Sequence, residues 1–188
     1  MEKSRRAVFI DKDGTLLVDV PYNVASARMR LMPGAAPALA ALQRAGWALF
    51  VVSNQPGVAR GVFPETALAA VEERLRGLLA ESGAELAGFY YCPHDPAGVV
   101  PAYAVSCDCR KPQPGLILRA CRRHGLEPAD CWLVGDILDD VEAGRRAGCR
   151  AILLDNGHET EWRREPLRAP EAVAADLPEA ALHILTAP

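Results

Sequence analysis

The sequence predicts an α/β fold built on a doubly wound parallel sheet, and three observations predict it. Short apolar runs without polar alternation recur along the chain, as strands buried on both faces require. Segments of helical period separate them, and that alternation implies crossover connections with helices on both faces. The length, 188 residues, fits one domain and leaves little room for a second hydrophobic core.

Taken in order, Ala7–Ile10 is the first strand, ending at Asp11. Pro33–Gly46 reads as a helix through Leu39 and Leu42 that closes on a glycine. Trp47–Val52 is the second strand, ending at Ser53. Pro64–Ser82 repeats the helical period through Leu68, Val71, Leu75, Leu78 and Leu79, with Pro64 and Glu65 suited to a first turn. Gly88–Cys92 is the third strand. Pro93–Pro112 is rich in proline, glycine and cysteine and has no period, so a loop of that length needs something to fix it. Pro114–Gly125 is a helix, Cys131–Val134 a strand, Asp139–Gly148 a helix and Arg150–Leu154 a strand. A short strand near Val173 and a helix from Pro178 complete the chain, which is expected to be a single domain over 1–188.

Half the residues are apolar and 24% are charged, as in an ordinary globular protein. The formal net charge of -3 gives no general attraction to nucleic acid or an anionic membrane. Arg5 and Arg6 precede only Ala7–Ile10 before Asp11 interrupts, which is no signal-peptide core, and no apolar stretch is long enough for a bilayer. The expected setting is the cytoplasm, as a monomer. Thiols stay reduced there, so clustered cysteines read as metal ligands rather than disulfides.

Ligands of open α/β sheets bind at the carboxyl ends of the strands. Those ends carry Asp11 and Asp13, Ser53 and Asn54, the loop after Cys92, and Asp136. Any single Asp-x-Asp-Gly is a common turn, and Asp136 alone could cap a helix. Their joint placement carries the reading. Asp11-Lys12-Asp13-Gly14-Thr15 after an apolar strand resembles the first motif of the haloacid dehalogenase superfamily of phosphatases. Ser53, Lys111 and Gly135-Asp136 with Asp139/Asp140 match its second, third and fourth motifs in order.

The resemblance implies a Rossmann-like sheet of the haloacid dehalogenase type without a separate cap domain. It implies that Asp11 attacks phosphorus, that Asp13 protonates the leaving oxygen and later activates water, and that Ser53 and Lys111 hold the phosphoryl group. Mg2+ would take oxygen ligands from Asp11, the Asp13 main-chain carbonyl and Asp136. Asp140 would stand behind the ligands, with Asp139 a helix-start acid. Gly14 lets the chain turn away at once.

Cys92-Pro93-His94 and Cys107-Asp108-Cys109 place two donor pairs with one residue inside each. In extended backbone, alternate side chains point the same way, so each pair can grip one ion. Cys₃His is a closed tetrahedral zinc set, and a structural Zn2+ would staple the loop 92–109. It would hold Arg110 towards substrate and Lys111 towards phosphate. Cys121, Cys131 and Cys149 read as core residues, and His124, His158 and His183 as single, non-catalytic histidines.

The segments 53–61, 90–94 and 107–112 resemble most the branch of the superfamily that removes the 7-phosphate of D-glycero-D-manno-heptose 1,7-bisphosphate, with histidinol-phosphate phosphatases as close kin. A second phosphate calls for its own cation, for which Arg110 with Arg60 offers a planar fork. By the same resemblance, Asn54 and Gln55 would contact sugar hydroxyls, and the loop Asp19 to Tyr22 would cover the site. Ile137 departs from the polar residue of that branch. The branch implies a step towards the nucleotide-activated heptose of lipopolysaccharide core. A histidinol-phosphate phosphatase, a non-catalytic zinc-stapled binding module and a phosphotransferase are the alternatives.

Overall fold

The computed structural model describes residues 5–163 and 165–187. Six strands form one wholly parallel sheet in the order β3-β2-β1-β4-β5-β6. They are β1 (Arg5–Ile10), β2 (Trp47–Asn54), β3 (Leu86–Cys92), β4 (Leu126–Gly135), β5 (Arg150–Leu154) and β6 (Ala172–Ala174). Five helices follow β1, β2, β3, β4 and β6 in turn: α1 (Ala35–Arg44), α2 (Ala67–Glu81), α3 (Gly115–His124), α4 (Leu138–Ala147) and α5 (Leu177–Thr186).

The period of two along each strand sorts the core into two layers. Val8, Ile10, Leu49, Val51 and Val134 join the leucines of α1 and α2 and Ala180, Ala181 and Ile184 of α5. The intervening Ala7, Phe9, Phe50, Val52 and Leu133 meet Leu116, Ile117 and Ala120 of α3 and Ala143 and Ala147 of α4. A strand covered on both sides has no polar face to show, and this is why the strands read as continuous apolar runs.

The strand order reverses between β1 and β4. That switch point opens a crevice at the carboxyl edge, because the connections leave β1 and β4 towards opposite sides. Ile10 pairs with Val134, and the Asp11 N–H donates to the Val134 carbonyl at 2.9 Å. The residues following both strands therefore face one another across the crevice.

The start of β4 and two single turns differ from expectation, while the long loop after β3 does not. β4 starts at Leu126 rather than Cys131, because Leu126 pairs with Arg5 before a register shift brings Cys131 opposite Ala7. The residues between, Glu127-Pro128-Ala129-Asp130, hold two acids and a proline and hide the strand from a hydrophobicity pattern. Single 3-10 turns occur at Ser26–Arg28 and Pro166–Arg168, too short to carry any period. Residues 93–114 contain neither helix nor strand. Among the described residues, no helix is long and apolar enough to cross a membrane.

Gly144 sits in α4 where the helix lies on β4, and a Cβ there would stand 2.9 Å from Leu133 Cβ. Alanine improves helix propensity by about 1 kcal/mol, but overpacking a rigid strand costs about 1–3 kcal/mol. Packing wins, so Gly144→Ala should lower stability in a urea titration rather than raise it.

Candidate active site

A crevice of about 510 Å³ opens at the switch point, lined by Asp11, Asp13, Asp19, Ser53, Asn54, Lys111, Asp136, Ile137, Gly157, His158 and Thr160. The chain leaves β1 through Gly14, whose φ of 83° lies in the left-handed region. A Cβ there would also lie 2.1 Å from Asp136 Oδ2, so the close approach excludes any other residue. The following segment folds back through bridges of Leu17 with Asp13 and Leu31, and carries Asp19 to the crevice.

Lys111 is buried among carboxylates. Its ammonium donates to Asp11 Oδ1, stands 2.5 Å from Asp140 Oδ1, and donates to the Val52 carbonyl at 3.2 Å. Burial would lower this lysine, but Asp11 and Asp140 outweigh it and hold the ammonium above its ordinary range. Asp140 is fully buried behind Asp11; a Cβ on Gly135 would lie 2.2 Å from its Cβ, so glycine at the end of β4 makes room for it. Burial pushes the Asp140 carboxyl up, with Asp11 and Asp136 adding, against the opposing pull of Lys111.

The main chain of Lys111 is clamped. Asn54 Oδ1 accepts from the Lys111 N–H at 2.9 Å, and Asn54 Nδ2 donates to the Lys111 carbonyl at 3.0 Å. The Asn54 amide, expected to meet sugar hydroxyls, therefore spends both ends on the segment that carries the lysine. Gln55 also points inwards, its Nε2 donating to Ser53 Oγ at 2.8 Å and to Asp13 Oδ2 at 3.3 Å.

Asp13 takes a 2.5 Å ion pair from the buried Lys12. Burial raises its carboxyl above the ordinary range, Lys12 opposes, and the Asp11 carboxylate adds to the rise. Asp136 accepts from Thr15 Oγ1 at 3.0 Å and lies 2.6 Å from His158 Nδ1. Burial and Asp11 push Asp136 up, against the hydrogen bonds of His158 and Thr15, to about 6. Oxygens of Asp11, Asp136 and Asp140 lie within 4.8 Å of one another, a hard donor set that suits a divalent cation of the magnesium class.

A second cluster sits beside the crevice. Cys109 Sγ lies 3.0 Å from Cys92 Sγ, 3.2 Å from Cys107 Sγ and 3.4 Å from His94 Nδ1. All six cysteines are free thiols. Four soft or borderline donors on one point fit a tetrahedral metal, whose metal–sulfur bonds of about 2.3 Å set a donor spacing only slightly wider than this.

Other expected groups stand apart. Arg110 is not among the residues lining the crevice; its guanidinium donates to the His94 carbonyl at 3.2 Å and its N–H to Cys107 Sγ at 3.3 Å. Tyr22, with φ of 53°, accepts from Arg60 Nη1 at 2.5 Å, and Arg60 also pairs with the buried Asp95 at 2.7 Å. Arg110 and Tyr22 are therefore held by protein partners rather than aimed into the crevice. His158 is the reverse case: expected to be unpaired, it reaches Asp136. The signal was a fifth strand end, since Asn156-Gly157 follows β5 at the same sheet edge.

Residues 108–180 match a family model described as HAD-hydrolase-like. The chain is 33% identical over 183 residues to a protein of Pseudomonas aeruginosa named D-glycero-β-D-manno-heptose-1,7-bisphosphate 7-phosphatase, covering 97% of this chain and 99% of that one. A protein of the same name from Escherichia coli K12 is 41% identical over 154 residues, 82% of this chain and 81% of its own. The solved structure of D,D-heptose 1,7-bisphosphate phosphatase from B. bronchiseptica, complexed with magnesium and phosphate, superposes with a TM-score of 0.77 at 30% identity, covering 96% of this chain and 98% of that one.

Replacing Asn54 by alanine leaves the Lys111 N–H and carbonyl without their partners. The expected loss is about 1–3 kcal/mol in chemical denaturation, with Asn54→Asp, which keeps the acceptor alone, falling between.

Proposed function

Because the chain belongs to the HAD-like family of D-glycero-β-D-manno-heptose-1,7-bisphosphate 7-phosphatases, we propose that it hydrolyses the 7-phosphate of that sugar bisphosphate through an aspartyl-phosphate on Asp11. The observation that carries the mechanism is the Lys111 ammonium bound to Asp11 at the switch point of the sheet. It sets a positive charge against the nucleophile, beside a position for an anionic phosphate.

Asp11 forms the new bond to phosphorus as the bond to the sugar oxygen breaks, and Asp13 gives that oxygen its proton. Burial keeps Asp13 protonated to higher pH than an exposed aspartate, as an acid needs. In the second half, Asp13 takes a proton from the water that attacks phosphorus, and Asp11 leaves as a carboxylate. Ser53 and Lys111 hold the phosphoryl oxygens throughout. Asp11, the Asp13 main-chain carbonyl and Asp136 would hold Mg2+, which would supply neutralisation of charge on those oxygens.

The rest of the reading is structural. Cys92, His94, Cys107 and Cys109 would hold Zn2+ with no position left for substrate, so its work is to fix the loop 92–109 within one phosphatase domain. Arg110, lying next to Lys111, would exchange the His94 carbonyl for the second phosphate, with Asp19 and Tyr22 closing over the sugar. Asn54 acts chiefly through Lys111, and Gln55 through Ser53 and Asp13. A monomeric enzyme in the cytoplasm, supplying the nucleotide-activated heptose of lipopolysaccharide core, fits this substrate.

Initial rates of phosphate release from both anomers of the heptose bisphosphate and from histidinol phosphate, with and without Mg2+, test the assignment. The β heptose bisphosphate should be preferred, Mg2+ should be required, and Asp11→Asn should fold normally and release no phosphate above background; a preference for histidinol phosphate contradicts the substrate. A second expectation concerns pH. Lys12 opposes the rise of Asp13, so Lys12→Met raises that carboxyl further and keeps the acid protonated to higher pH. The alkaline limb of kcat/KM should move upwards in pH.

A further inference from the structure

The loop after β5 delivers to Asp136 a side chain that none of these roles uses. Asn156 Nδ2 donates to the Gly14 carbonyl at 2.8 Å, and Glu159 Oε2 accepts from the Leu138 N–H at 2.6 Å. The loop is thus pinned on both sides of Asp136, to the turn after β1 and to the first residue of α4. Between the pins, His158 Nδ1 stands 2.6 Å from Asp136 Oδ2. A Cβ on Gly14 would lie 2.5 Å from that same nitrogen, so the glycine leaves room for the imidazole.

Thr15 Oγ1 donates to the other oxygen, Asp136 Oδ1, at 3.0 Å. An ionised carboxylate has two lone-pair sites on each oxygen, so one donor per oxygen orients the group and still leaves a site on each. No substrate atom is needed to fix that orientation. Ile137, the next residue, has no polar side chain that could replace either donor, and its N–H donates to Asp140.

We propose that His158 is a positioning residue for Mg2+: its Nδ1–H, together with the Thr15 hydroxyl, holds the Asp136 carboxylate so that its remaining lone pairs face the crevice. The inference rests on the reading of Asp136 as a Mg2+ ligand. Hydrogen bonds behind metal ligands orient them, and losing one costs about 10–100-fold in metal affinity. His158 touches neither sugar nor phosphorus in this scheme; it acts through Asp136.

Calorimetric titration of the zinc-loaded full chain with Mg2+ alone tests it. His158→Phe keeps a ring and removes the donor, and should weaken Mg2+ binding roughly tenfold or more. The His158 side chain is 37% exposed, so zinc content and the midpoint of thermal unfolding should not change. His158→Gln, whose amide can donate to the same oxygen, should recover most of the affinity. Unchanged or tighter Mg2+ binding in His158→Phe, with Asp136→Asn impaired, overturns the inference. Full Mg2+ binding by Asp136→Asn overturns instead the reading on which it rests.

Discussion

The buried ammonium of Lys111 is the constraint to which the rest of the site answers. Asp11, Asp136 and Asp140 converge within a few ångströms at the switch point, with Asp13 two residues from the first of them. Burial and mutual repulsion both push such carboxyls towards their neutral forms. Lys111 touches two of them and offsets part of that repulsion. Removing one partner of a buried pair costs about 3–5 kcal/mol, because the other charge is left uncompensated. Asp140 thus gains a clear job: it balances Lys111 from behind, so that the ammonium can face Asp11 without being consumed by it.

That lysine comes from a stretch with no helix or strand, which would otherwise pay conformational entropy to hold it still. Two devices fix it. On one side the Cys92, His94, Cys107 and Cys109 cluster ends two residues before Lys111. On the other, the Asn54 amide grips the Lys111 main chain at both its N–H and its carbonyl. The end of β2 thereby sets the position of a charge that arrives from the loop after β3. A metal held by that cluster would add to the preorganisation of the proposed site.

The layered sheet was legible because doubly covered strands must be apolar throughout, and the helices between them keep their period. Asp11, Asp13, Ser53 and Asp136 could be read as neighbours because each stands at or just after a strand end on one sheet edge, whereas Lys111 was read only from its match to a motif; all five line the crevice. What escaped depended on contacts distant in sequence. Nothing local tells that Asn54 turns towards Lys111, that Arg60 binds Asp95 and Tyr22, or that Arg110 finds the His94 carbonyl. His158 escaped for a different reason: one histidine in a polar loop has no pattern, and only the pins at Gly14 and Leu138 bring it to Asp136. The start of β4 was hidden by two acids and a proline that a register shift passes over.

The account stands on a covalent phosphoryl group at Asp11. Acid quenching during turnover of heptose bisphosphate labelled at the 7-phosphate, followed by peptide mapping, measures this most directly. The label should be found on the peptide containing Asp11, at its carboxylate and nowhere else. Label on another side chain, or turnover with no labelled protein at any quench time while Asp11→Asn stays active, would contradict it.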